Sequence, residues 1–168
     1  MTSERDYLIR MGGQDDLPTL EQMLYEAFSW RPGMPLTPVD VVLARPGIRR
    51  YVKEWGRPGD VAVVAIGEPD GTPVGAARCR IFPADDAGYG FVDSAIPELS
   101  IGVDAQHRRV GVGRSLLETL CERARSDGTK ALSLSGESDN RIAVGLYERL
   151  GFQRVGGNGS SLTMMIDL

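Results

Sequence analysis

The segment Gln106-His107-Arg108-Arg109-Val110-Gly111-Val112-Gly113-Arg114-Ser115-Leu116-Leu117 constrains this chain more than any other. It follows Glu98-Leu99-Ser100-Ile101-Gly102-Val103, which has the period of a strand. It opens a stretch whose apolar residues Val112, Leu116, Leu117, Leu120, Cys121 and Ala124 share one side of a helix. A small-residue turn between strand and helix aims several backbone N–H groups at one spot, at the positive end of the helix dipole. Gly111 and Gly113 put no side chain in the way, and Arg108, Arg109 and Arg114 add charge-assisted donors. The pattern predicts a strand–turn–helix unit that holds a phosphorylated small molecule.

The rest of the chain alternates strand and helix patterns around this unit. Tyr7 to Met11 reads as a short strand, and Asp15, Asp16 and Pro18 start a helix carrying Leu17, Leu20, Leu24, Ala27 and Phe28. Pro32, Gly33 and Pro35 make Ser29 to Thr37 a loop, and Thr37-Pro38 caps the next helix. Ile48, Tyr51, Val52 and Trp55 form a further apolar face beyond Pro46. Val61 to Ile66 and Pro73 to Phe82 are strands around the turn Glu68-Pro69-Asp70-Gly71. A polar excursion, Asp85 to Asp93, holds Tyr89 and Phe91. After the glycine turn and its helix, Gly128 is the stop and Ala131 to Ser135 alternates as a strand. Asp139 or Asn140 caps a helix with Ala143, Leu146, Tyr147 and Leu150 on one face. Phe152 to Val155 and Leu162 to Ile166 close the chain around the loop Gly156 to Ser160. This order predicts an α/β class, a mixed α+β sandwich built on one sheet, with residues 1–168 as one domain.

Composition narrows the function. A net charge of −4 with no sustained basic face argues against nucleic acid. Arg49, Arg50, Lys53 and Arg57 cluster, but Glu54 and Asp60 dilute them into a solvated helix face. Two cysteines, Cys79 and Cys121, make neither a disulfide framework nor a zinc site, and the single His107 builds no metal site. The longest apolar run is too short to cross a membrane, and the start of the chain lacks a secretory layout. The expectation is a cytoplasmic protein with no metal, nucleic acid or membrane partner.

Three phosphate ligands compete for the turn. A P-loop needs Gly-Lys followed by Ser or Thr, and this chain has no Gly-Lys. A dinucleotide fingerprint needs a third small residue where Leu116 stands, and an acidic residue near Leu132-Ser133-Leu134-Ser135, where the nearest is Glu137. The third is the diphosphate of coenzyme A. Arg108-x-x-Gly111-x-Gly113, after a strand that begins with Glu98, resembles the acetyl-CoA-binding motif of the GNAT N-acetyltransferase superfamily. Asn140-x-x-Ala143-x-x-Leu146-Tyr147-x-x-x-Gly151-Phe152 resembles that superfamily's second motif. Together they span Glu98 to Phe152, about a third of the chain. One departure stands out: the superfamily has glycine directly after the motif arginine, and this chain has Arg109, whose side chain is expected to leave the loop and grip a phosphate, the alternative being that its bulk narrows the turn.

The resemblance implies the acyl-CoA N-acyltransferase fold, a single mixed and mostly antiparallel sheet flanked by helices. It implies that the backbone of Ile101, Gly102 and Val103 bonds the pantetheine arm like an added strand, with one N–H polarising the thioester carbonyl. Amides from Arg109, Val110, Gly111, Val112, Gly113 and Arg114 would hold the diphosphate, and Asn140 the pantetheine arm; a plain helix cap is the alternative for Asn140. An acceptor amine of pKa about 10.4 is over ~99% protonated at neutral pH, so a base is needed. Glu98 is the candidate, the alternative being an exposed carboxylate at a strand end. Tyr147 is the candidate acid for the leaving thiolate, the alternative being a half-buried aromatic. The loops 29–37 and 156–160 would border the acceptor, with Trp30 and Tyr89 as candidate contacts. The expected function is transfer of acetyl from acetyl-CoA to a primary amine, of a small molecule or a protein, by direct attack. A non-catalytic acyl-CoA sensor is the alternative, and many members of the superfamily pair as homodimers.

Overall fold

The computed structural model describes residues 6–168. Seven strands form one sheet in the order β1-β2-β3-β4-β5-β7-β6: β1 (Tyr7–Met11), β2 (Val61–Gly67), β3 (Pro73–Arg80), β4 (Glu98–Val103), β5 (Ala131–Glu137), β6 (Gln153–Asn158) and β7 (Ser161–Asp167). Every neighbouring pair is antiparallel except β4 and β5. The helices are α1 (Leu17–Phe28), α2 (Val39–Leu43), α3 (Pro46–Arg49), α4 (Val112–Ser126) and α5 (Arg141–Leu150).

The two faces of the sheet carry separate apolar layers, as strand alternation dictates. On the back, Val63, Ala65, Ala77, Leu99, Leu132, Leu134 and Met164 pack against Leu116, Leu117 and Leu120 of α4 and Val144 and Tyr147 of α5. On the front, Ala62, Val64 and Ala76 pack against Leu20, Met23 and Leu24 of α1 and against Ile48, Tyr51, Val52 and Phe82. The apolar spacing from Ile48 to Trp55 therefore marks buried positions, but α3 ends at Arg49 and the chain continues in turns, with Glu54 at φ 53°. In the basic cluster around it Arg49 and Lys53 are exposed, as a solvated face requires, but the helix stops at Arg49 and Arg50 folds back onto the carbonyl of Ala87.

α1 approaches β4 closely enough to need glycine there. A β-carbon on Gly102 would lie 1.8 Å from the carbonyl oxygen of Met23. The fully buried Arg78 ties the same helix to the sheet by donating from Nη1 to the Leu20 carbonyl at 3.1 Å. Segment 50–60 is held by Arg80, whose Nε and Nη2 meet both carboxylate oxygens of Asp60 at 2.9 and 2.7 Å. Its Nη1 reaches the carbonyls of Arg50 and Lys53, each at 2.8 Å.

Two local expectations shift. β6 runs through Gly156 and Gly157 to Asn158, pairing with β7 as far as Ser161, so the loop read over 156–160 shrinks to a two-residue turn. Pro38 is the N-cap of α2, so that helix begins one residue later, at Val39.

Candidate active site

The site is built where β4 and β5 part. Their parallel pairing has one registered pair, Glu98 with Ser133, supported by the Ser133 N–H donating to Pro97 at 3.0 Å. Beyond it β4 continues to Val103 and β5 to Glu137 with no pairing between them. The facing edges thus keep peptide groups that an ordinary ladder would use.

The glycine turn sits on the β4 side of this opening. Gly111, the N-cap of α4, has φ 93° and no side-chain cap. The N–H groups of Gly111, Val112, Gly113 and Arg114 have no acceptor among the described residues, and Ser115 is the first to bond back, to the Gly111 carbonyl at 3.0 Å. Gly113 lies against Ile101, Val103 and Leu146: a β-carbon on it would meet their side chains at 3.8, 3.9 and 3.4 Å. Four free donors at the positive end of a 15-residue helix lie beside the unpaired edge of β4.

The three arginines of the turn divide. Arg108 turns inward, its Nε donating to the Val103 carbonyl at 3.0 Å and its Nη2 to Glu26 at 3.3 Å. It secures the end of β4 to α1 instead of facing outward. Arg114 pairs along its helix with Glu118 at 2.8 Å. Arg109 is exposed at φ 64°, the left-handed region that glycine enters at least cost.

Glu98 is no surface carboxylate: it is 3% exposed. Its Oε1 accepts from the Tyr51 hydroxyl at 2.6 Å and from the Gly90 N–H at 2.9 Å. Its Oε2 is buried with no protein partner. Burial pushes the carboxyl above the usual range, and the bonds from Tyr51 and Gly90 and the nearby Arg50 hold back part of that rise. The Tyr51 hydroxyl accepts in turn from the Tyr89 N–H at 2.9 Å. Tyr51 is the residue that sequence reasoning missed; the signal was a tyrosine at a core position, whose hydroxyl must find a partner.

Tyr147 lies across the opening, its ring beside Gly136 of β5 and edge-on to Phe152 at 6.0 Å. The ring is buried, and burial pushes the phenol up to about 12. Asn140 caps α5, its Oδ1 accepting from the Ala143 N–H at 3.4 Å, which leaves its amide nitrogen uncommitted. Glu137 takes the hydroxyls of Ser160 and Ser161, and Glu148 reaches Arg154 on the surface.

Of the two candidate acceptor contacts, Tyr89 is linked to Glu98 through the Tyr51 hydroxyl. Phe28, Tyr51 and Tyr89 form one cluster, with centroids 5.9–6.4 Å apart. The Trp30 ring is covered by its neighbour Arg31, which pairs with Asp139 across the loops that follow α1 and β5.

Residues 22–152 match the family model described as acetyltransferase (GNAT) family. Over 53 residues the chain is 42% identical to the ribosomal protein bS18-alanine N-acetyltransferase of Escherichia coli (strain K12), covering 32% of this chain and 36% of that protein. The chain spans about a third of the length of the curated relatives it matches. Among solved structures, a GCN5-related N-acetyltransferase from Kribbella flavida superposes with TM-score 0.71 at 22% identity, covering 99% of this chain and 100% of that one. The paia N-acetyltransferase from Thermoplasma acidophilum, solved in complex with coenzyme A, gives 0.70 at 18% identity over 96% and 99%. At these identities the likeness is one of fold.

Proposed function

The chain belongs to the acetyltransferase (GNAT) family, and on that premise we propose that it transfers acetyl from acetyl-CoA to a primary amine by direct attack. The observation that carries this reading is the row of unpartnered N–H groups from Gly111 to Arg114 beside the unpaired edge of β4. A diphosphate fits such a row, and an extended amide-bearing arm fits such an edge. Ile101, Gly102 and Val103 would bind that arm as an added strand, with the free amide of Asn140 as a further donor. When bound, acetyl-CoA supplies an activated thioester.

Glu98 then takes the proton of the incoming ammonium at Oε2, through a water, because Oε1 already has two donors. A carboxylate raised above its usual range by burial is the better base near neutral pH. Tyr147 keeps its proton across the physiological range. Burial pushes its phenol up to about 12, above a thiol at about 8.5, so complete transfer to the leaving sulfur would be uphill. Its role is therefore to donate a hydrogen bond to the sulfur as charge develops there: the amine forms the C–N bond, the C–S bond breaks, and the second proton shed by the nitrogen reaches the departing thiolate through solvent. A covalent acetyl-cysteine route is disfavoured: burial pushes Cys79 up to about 12 and raises Cys121 as well. Reduced cysteines and acetyl-CoA suit a cytoplasmic location, and no helix among the described residues is long and apolar enough to cross a membrane.

Calorimetry with acetyl-CoA and a thiol-release assay with amines test this reading. Heat of binding and amine-dependent thiol release are expected; no binding overturns it, and binding without release for any amine favours the sensor. Tyr147→Phe is expected to bind acetyl-CoA like wild type and to lose about a hundredfold in kcat, the low end for removing one donor to a developing negative charge. Arg109→Gly separates backbone from charge. The loop keeps its shape, since φ 64° suits glycine, and relief of left-handed strain roughly offsets the added freedom of the unfolded chain. Affinity for coenzyme A is expected to fall about fivefold at low salt and much less at 1 M salt, as for an exposed charge contact.

A further inference from the structure

Tyr89 has an unusual combination of properties. The residue is 57% exposed, yet its placement is fixed from three sides. It stacks on Tyr51 at 6.4 Å with the planes 18° apart. Its N–H is held by the Tyr51 hydroxyl at 2.9 Å. Its phenol lies over α3 so closely that a β-carbon on Gly47 would sit 2.5 Å from its oxygen. Phe28, a residue 38% exposed at the end of α1, adds a second ring 5.9 Å away, tilted by 57°. An exposed aromatic pair held this firmly is a preorganised wall, since binding to it costs little further ordering.

The position of the wall relative to the reacting groups is equally fixed. Tyr51 stacks on Tyr89, packs against Phe28 at 6.3 Å and donates to Glu98, so wall and base are built on one side chain. The next residue, Gly90, lies flush on β5: a β-carbon there would be 2.4 Å from the Leu134 carbonyl carbon. That contact is just beyond the last paired position of β5 with β4, at the front of the opening.

We propose that the acceptor is an amine bearing a flat aromatic group, and that the faces of Tyr89 and Phe28 select it; this rests on the acetyltransferase reading. Offset stacking and edge-to-face contacts reward a ring at this place. A polyamine gains less. Asp86, in the segment that leads to Tyr89, pairs with Arg50, and Asp139, in the loop after β5, with Arg31, so a second ammonium at either would meet an arginine as well as an acid.

The test is steady-state thiol release with acetyl-CoA and four probes: phenethylamine, n-hexylamine, spermidine and a hexapeptide with a free alanine N-terminus. The expected kcat/KM for phenethylamine is about tenfold or more above the other three. Tyr89→Ala and Phe28→Ala are each expected to raise KM for phenethylamine about five- to tenfold, the loss of one aromatic contact. The KM for hexylamine should move less than about twofold, and Tyr89→Phe should keep the preference, because the ring face carries the selection. Calorimetry of phenethylamine into the coenzyme A complex gives the same comparison without turnover, and a melting curve identifies any variant that has lost its fold. Spermidine or the peptide equal to or better than phenethylamine overturns the proposal, as does a preference that survives in both alanine variants. If no probe is acetylated and phenethylamine does not bind, the proposal falls. Acetyl-CoA calorimetry then says whether the acetyltransferase reading falls with it.

Discussion

Replacing Glu98 by glutamine is expected to lower kcat/KM for amine acetylation by about 10²–10⁴-fold while acetyl-CoA binds as before. Glutamine keeps an acceptor for the Tyr51 hydroxyl and the Gly90 N–H, so the local geometry survives, but it cannot take a proton. The pH profile makes the assignment sharper. In the wild type the rate rises through the Glu98 carboxyl, whose position is above the ordinary range because it is buried, and rises again towards the acceptor's own pKa near 10.4. In Glu98→Gln the first rise disappears and only the second remains. Folding stability supplies an independent check. A carboxyl raised in the fold favours the protonated state, so its contribution is complete below the unfolded value of about 4.3 and is lost as pH climbs through the folded value. Urea titrations from pH 4 to 8 should show the wild type losing stability relative to Glu98→Gln over that window. A flat difference together with an unchanged rate profile removes Glu98 from the reaction.

Arg80→Met is expected to cost about 3–5 kcal/mol of folding stability, read from denaturant midpoints. Arg80 and Asp60 are both almost wholly shut off from solvent, joined by two hydrogen bonds. Removing the cation leaves Asp60 buried with no counter-charge. It also orphans the carbonyls of Arg50 and Lys53, which Arg80 holds at 2.8 Å each. Those carbonyls flank Tyr51, so surviving folded protein should also lose turnover. Adding Asp60→Leu to Arg80→Met should recover part of the loss, because a paired apolar replacement leaves no isolated charge. A double variant as weak as the sum of the single ones contradicts this account.

The strand and helix nearest the chemistry were legible because each signal is local. β4 has the predicted bounds, Glu98–Val103, and the apolar stripe from Val112 to Ala124 faces the core of α4 as its spacing requires. The glycine turn was readable for the same reason. The partners of Glu98 were not. Tyr51 and Gly90 reach it from two other segments, and nothing in the spacing of Ile48, Tyr51, Val52 and Trp55 separates a core tyrosine from one that holds a carboxyl. The glycines at 156 and 157 suggest a loop, yet pairing with β7 draws them into a strand. Arg108 carries a motif arginine's position, but its partners, Val103 and Glu26, are set by how α1 crosses β4.

The parting of β4 from β5 also has a mechanical meaning. Past the rung at Glu98 and Ser133, the four strands before it and the three after it share no ladder. The apolar layer under α4 and α5 spans both halves, so the gap stays open because packing, not pairing, holds its two sides together, and the last rung carries the buried carboxyl. A guest strand lying in the gap would restore the missing ladder, and its occupancy would close the sheet beside the base that the second substrate must meet.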